Sequence, residues 1–201
     1  MGLTSNTLKE GLGRVVDKMA LFSDELNSLD GKIGDGDLGV TLTRCAKGVR
    51  EVLPSLPEDL GMALMSVVQA VTKVSGASFA TLLAGGLMAA AKAVRGRFDL
   101  SWEEVPDLFR IAQEAMMARG KAALGEKTVI DALEAARSST VGLRDPGTIL
   151  ESALKGVSET IDRMRNQPIQ SGRARIWAEK SIGLDDPGMI AFKRILESLV
   201  Q

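Results

Sequence analysis

Apolar residues recur at three- and four-residue steps along most of the chain, which is the spacing of one face of a helix. Leu8, Leu12, Val15, Val16, Met19, Phe22 and Leu26 draw such a stripe and predict an opening helix over 4–27. A second helix is expected over 40–53, stopped by the breaker from Pro54 to Pro57. A third is expected over 59–72, its turns marked by Met62, Met65 and Val68 or Gln69. Residues 79–94 are apolar on nearly every side, so that helix is expected to lie buried. Ser101 and Glu104 have the spacing of a capping box and open a helix reaching about Ala118. Thr128, with Asp131 three positions on, opens another through Ser139. Asp145 before Pro146 starts one that reaches about Arg165, and Asp186 before Pro187 starts the last, through Leu199. The count is about eight, beside a short helix over 173–180. No stretch alternates convincingly as a strand does, and no repeat or linker interrupts the pattern. The expectation is an all-α antiparallel bundle in a single domain covering 1–201.

Composition adds exclusions. Helix formers (Ala, Leu, Met, Glu, Lys) carry much of the sequence, aromatics are only 3% and Tyr is absent. A net charge of −1 argues against a nucleic-acid footprint, and no block of Lys or Arg points to an anionic membrane surface. The lone Cys45 excludes an internal disulfide and fits a reducing compartment. The N-terminus lacks a basic segment followed by an apolar run, and residues 79–91, the most apolar stretch, are too few to span a bilayer. A cytoplasmic protein is expected. The absence of His rules out a Ser-His-Asp triad, His acid–base catalysis and His-ligated metal. Chemistry must rest on carboxylates, Lys, Arg, hydroxyls and backbone amides.

The stretch LDGKIGDGDLG (29–39) holds Asp30, Asp35, Asp37 and four glycines. Glycine bends the backbone tightly, so the acids can converge, and converging carboxylates repel unless a cation sits between them. Oxygen ligands of this kind suit Mg²⁺ or Ca²⁺, although the spacing is not that of an EF-hand. Asp and Gly also build ordinary solvated turns, so the stretch alone leaves both readings open. Gly76, Ala77 and Ser78 fall at a helix start, where free N–H groups favour an anion, or where Ser78 is a simple cap. Arg173, Arg175 and Lys180 are either cations for a ligand or a solvated face. Four glycine-marked connections (29–39, 73–78, 119–128 and 172–188) stand out, and in an antiparallel bundle alternate connections share one end. Acidic loop, helix start and basic loop together suggest a Mg-nucleotide site, without a P-loop or a kinase-type glycine loop.

With these stretches in hand, the sequence resembles the nucleotide-binding L subunit of dihydroxyacetone kinase, a DhaL-like domain. The resemblance rests on LDGKIGDGDLG (29–39), SGAS (75–78), RGKAALGEKTVIDAL (119–133), GRA (172–174) and EKSIGLDDPG (179–188), in the right order and across nearly the whole chain. It implies an eight-helix barrel with ADP or ATP at one end. Asp30, Asp35 and Asp37 would hold two Mg²⁺ ions that bridge the phosphates. Leu38, Gly39, Val40, Thr41, Ala77 and Ser78 would lie along the phosphates, and Gly120 and Val129 along the base. Arg173 and Asp186, Pro187 and Gly188 would close over the nucleotide, with Arg173 and the three acids as the catalytic set. A separate K-type subunit would hold the small keto-sugar, and the donor would be ATP or a phosphotransferase-system protein. A homodimer is also open. Departures from the family pattern are Leu38, where His is common, Phe79-Ala80-Thr81, where Gly-Pro-Leu is usual, and Lys180 in place of Arg. They motivate two rival expectations: a nucleotide-binding regulatory or interaction module without catalysis, and a kinase of another ketose.

Overall fold

The structure is a computed structural model that describes residues 2–200, the side chain of Arg173 excepted. Nine α-helices occur among the described residues. The first two correspond to the single opening helix expected from the stripe. Helix α1 (Ser5–Lys18) starts at a capping box between Thr4 and Thr7, and α2 (Ser23–Ile33) follows a 3-10 turn over Met19–Phe22 without a gap. The turn has a geometric reason. In an ideal α-helix Leu26 would stand about 80° round from Val16, and four residues wound at three per turn restore roughly that angle. Val16, Met19 and Leu26 therefore all reach the core.

Helices α3 (Leu38–Val52), α4 (Leu60–Val74), α5 (Ser78–Ala93), α6 (Val105–Gly120), α7 (Val129–Thr140), α8 (Pro146–Met164) and α9 (Pro187–Leu199) complete the set. Their starts follow the sequence signals. Asp59, Asp145 and Asp186 accept from the N–H groups of Met62, Thr148 and Met189, and Thr128 pairs with Asp131 in a capping box. Two expectations change. The Ser101–Glu104 box caps a 3-10 turn over Trp102–Glu104 before α6 begins. The short helix expected over 173–180 is a pair of 3-10 turns, Arg173–Trp177 and Glu179–Ser181. A two-residue antiparallel pairing of β1 (Leu3–Thr4) with β2 (Asp99–Leu100) was not legible, being too short to alternate.

Each helix from α2 onward packs on the next, and α9 returns to α1 and α2, so the bundle closes into a ring. Close approach depends on missing side chains at the α4–α5 crossing, where a Cβ on Gly61 would stand 2.5 Å from the Ala91 carbonyl oxygen. The closing seam carries Arg194 of α9, which donates to both carboxylate oxygens of Glu25 on α2 and lies over the Phe22 ring. One end of the ring gathers the bend after α2, the 75–77 connection, the 121–128 loop and the 165–186 loop.

Candidate functional site

Asp30 stands in the last turn of α2, not in a loop as the glycine-rich spacing predicts. The apolar register of Leu26, Leu29 and Ile33 continues the helix through Gly31, and burial outweighs glycine's low propensity. Asp30 Oδ2 then accepts from the N–H groups of Gly36 (2.8 Å) and Asp37 (3.0 Å), which ties down the bend. Gly36 takes φ +76, and a Cβ on Gly34 would stand 2.3 Å from Asp30 Oδ1, so both glycines are demanded by the geometry. One oxygen each of Asp30, Asp35 and Asp37 consequently lies within 4.8 Å of the others. Asp37 occupies the cap position of α3 but makes no capping bond. Asn27 does that work across space, its Oδ1 accepting from Gly39 N–H (2.8 Å) and Val40 N–H (3.2 Å). Burial holds the Asp30 carboxyl above its ordinary range, opposed by the amides of Asp37 and Gly36 and reinforced by the charge of Asp35. Clustered carboxylates of this kind are relieved by a divalent cation, and an all-oxygen donor set fits Mg²⁺.

The three acids open on a cleft of about 810 Å³, within the range of pockets that enclose a small ligand. Leu38 and Thr41 of α3 line it beside the acids. On the same cleft, α5 starts at Ala77 with no side chain capping it, and Ser78 is its first helical residue, not the cap. That start presents backbone N–H groups to the same cleft, a favourable place for an anion. Gly120 and Val129 line a third wall, and Asp186, Pro187 and Gly188 line a fourth. Asp186 is part-buried, and desolvation pushes its carboxyl up to about 7, with Asp131 adding and the Met189 amide and Lys127 opposing.

Two expected residues lie elsewhere. Gly39 packs α3 against the start of α2, where a Cβ would meet the Ser23 carbonyl oxygen at 2.0 Å, and Val40 is 40% exposed with its amide on Asn27. The side chain of Arg173 falls outside the described part. Arg119, Lys121, Arg175 and Ile176 also line the cleft, so it holds cations as well as acids. The 119–128 and 172–188 stretches flag these residues only as a neighbourhood. Asn27 and Lys127 carry no signal of their own, because their partners are 12 to 54 residues away. Phe79, at one of the departures from the family pattern, packs its ring 3.2 Å from where a Cβ on Gly188 would be. It stands between the cleft and an apolar cavity of about 220 Å³ bordered by Leu83, Met116 and Phe192.

A family model described as the DAK2 domain matches residues 32–201. The chain belongs to the DAK2 domain family. It is 30% identical to the ADP-binding subunit DhaL of the PEP-dependent dihydroxyacetone kinase of Escherichia coli, over 99% of this chain and 97% of that one. It is also 30% identical to the mouse triokinase/FMN cyclase, over 98% of this chain but 36% of that protein. The chain thus spans about a third of the triokinases and nearly all of the free-standing subunit. In fold it matches the dihydroxyacetone kinase of C. freundii, solved in complex with AMP-PNP and Mg²⁺. The TM-score is 0.76 at 22% identity, covering 99% of this DAK2 domain and 34% of that chain. The all-α ring of the DAK2 domain and the fold expected from the sequence are therefore the same. No helix among the described residues is long and apolar enough to cross a membrane.

Proposed function

We propose that this chain is the nucleotide-binding, phosphoryl-transferring subunit of a dihydroxyacetone-type kinase. In this reading it acts on a small ketose held by a separate K-type subunit. One observation carries the reading: three carboxylates within 4.8 Å of one another share a cleft with an uncapped helix start and with Arg119, Lys121 and Arg175. Asp30, Asp35 and Asp37 would hold Mg²⁺, which neutralises charge on phosphate oxygens when bound. The amides at the start of α5 and the hydroxyls of Ser78 and Thr41 would hold the phosphates, while Gly120 and Val129 would flank the base. Phosphoryl transfer needs mostly positioning and charge neutralisation, so a site without His is chemically sufficient. The relatives named above support the reading, one as an ADP-binding subunit and others as kinases. In it the chain forms one domain, works in the cytoplasm and takes its phosphoryl group from ATP or from a phosphotransferase-type protein.

Calorimetric titration of Mg-ADP tests the proposal. Binding is expected in wild type and lost on adding EDTA or in the Asp35→Ala, Asp37→Ala double variant. Equal binding by wild type and the double variant would put the nucleotide elsewhere. ADP surviving dialysis would favour a protein donor, and its rapid loss would favour ATP as an exchanging substrate. Phe79 against Gly188 favours a second reading, a nucleotide-binding module without catalysis. Mg-ADP binding without transfer beside a K-type partner would support it.

A further inference from the structure

Lys127 is 1% exposed, although nothing in its own stretch of sequence marks it as special. An ammonium carries three N–H donors, and removing it from water costs heavily unless all are used. All three are used here. Nζ donates to the carbonyls of Arg165 (2.8 Å), Gln167 (2.7 Å) and Ser181 (2.9 Å). These belong to the end of α8, the connection that follows it and the second 3-10 turn. Lys127 itself has φ +59, a left-handed backbone that a non-glycine residue keeps only where its surroundings demand it. Desolvation lowers its pKa, while Asp186 and Asp185 oppose that shift and Arg165 adds to it. A methyl-terminated side chain would fill the same space without a buried charge to satisfy.

The position explains the expense. Thr128, Val129 and Ile130, next along the chain, line the cleft, and so do Gly172, Ala174, Arg175 and Ile176, which form a lip of it. The anchored segment reaches that lip through Ser181, whose Oγ accepts from Ile169 N–H (2.8 Å) and donates to Ala178 O (2.5 Å). Gln170 N–H to Glu126 O (3.1 Å) and Gly183 N–H to Arg165 O (2.9 Å) join the same knot. We infer that Lys127 is a positioning residue: it sets the gap between the 128–130 wall and the 172–176 lip, and so holds Arg175 over the bound phosphates. This inference rests on the nucleotide reading given above.

Two tryptophans occur in the chain, and Trp177 follows the lip directly, ending the 3-10 turn Arg173–Trp177, with Lys180 Nζ 4.5 Å from its ring centre. A Trp102→Phe background makes its emission a report on the lip. In that background Lys127→Met is expected to shift Trp177 emission to the red and to weaken Mg-ADP by about tenfold or more through a faster off-rate, since lost preorganisation appears as lost affinity. Helical circular dichroism should stay as in the parent. A folded Lys127→Met protein that binds Mg-ADP like its parent overturns the inference, and so does weaker binding with Trp177 emission unchanged. Should Lys127→Met fail to fold, Ser181→Ala removes one strand of the knot and is expected to show the same pair of changes; parental emission or binding in that variant overturns the inference. Failure of the parent itself to bind Mg-ADP sinks the nucleotide reading and this inference with it.

Discussion

Asp186 shows how far a single side chain is set by what surrounds it. As Asp-Pro-Gly it reads as a helix start, and it is one, accepting from the Met189 N–H at 2.8 Å. Its raised pKa is legible only in three dimensions, because burial is its main cause and the charges acting on it, Lys127 and Asp131, come from more than fifty residues earlier. The folded chain keeps its proton up to about pH 7, while the unfolded chain releases it near 3.8. Between those values the unfolded state binds fewer protons, so this carboxyl lowers stability as pH rises through the window. Without Mg²⁺ or nucleotide, Asp186→Asn is expected to gain on wild type from pH 4 to pH 7, by on the order of a few kcal/mol. Urea unfolding at several pH values measures it; parallel curves for the two proteins would show that the group titrates as an ordinary carboxylate. Asp30 and Asp37 differ in the same way. Both are acids of one glycine-rich stretch, yet one tethers two backbone amides and the other caps nothing.

At the scale of the element, local signals decide where helices start, and distant packing decides how they meet. The caps at Asp59, Thr128, Asp145 and Asp186 lie within three residues of the N–H groups they satisfy, which is why they were readable. The bend between α1 and α2 was not, because the stripe continues through it and only the winding changes. The α2–α3 junction depends on Asn27 and Gly39, twelve residues apart, and neither is a motif alone. Asn27→Ala removes the acceptor for two α3 amides and is expected to cost about 1 kcal/mol, as for a lost cap. Gly39→Ala drives a methyl into the Ser23 carbonyl and is expected to cost about 1–3 kcal/mol, as overpacking does. Because both act on one junction, the double variant should fall short of the sum. Urea midpoints of the four proteins settle it, and full additivity would mean that the two residues work independently.

Across the whole molecule, the cleft is assembled from segments that are far apart in sequence and meet only because the ring closes. The acids come from α2 and the bend after it, the anion-favouring amides from α5, one wall from the 120–130 region and the lip from 171–188. Glycine-marked connections and antiparallel alternation were enough to place these at one end. What joins these segments was not legible, since contacts such as Lys127 Nζ to the Arg165 carbonyl and Arg194 to Glu25 link residues 38 and 169 apart in the chain. A ligand that spans all four segments binds only when the ring is whole, so it should stabilise the whole barrel. At a hundredfold excess over its dissociation constant, Mg-ADP is expected to add about 2.7 kcal/mol. For a chain of this length that corresponds to a rise of roughly 5–11 °C in Tm. The rise should be matched by slower amide exchange in α3, α5, α7 and α9 together. The Asp35→Ala, Asp37→Ala protein should show neither effect. Protection confined to the 34–41 region would mean that the ligand touches the acids alone, and the four walls would then not be one site.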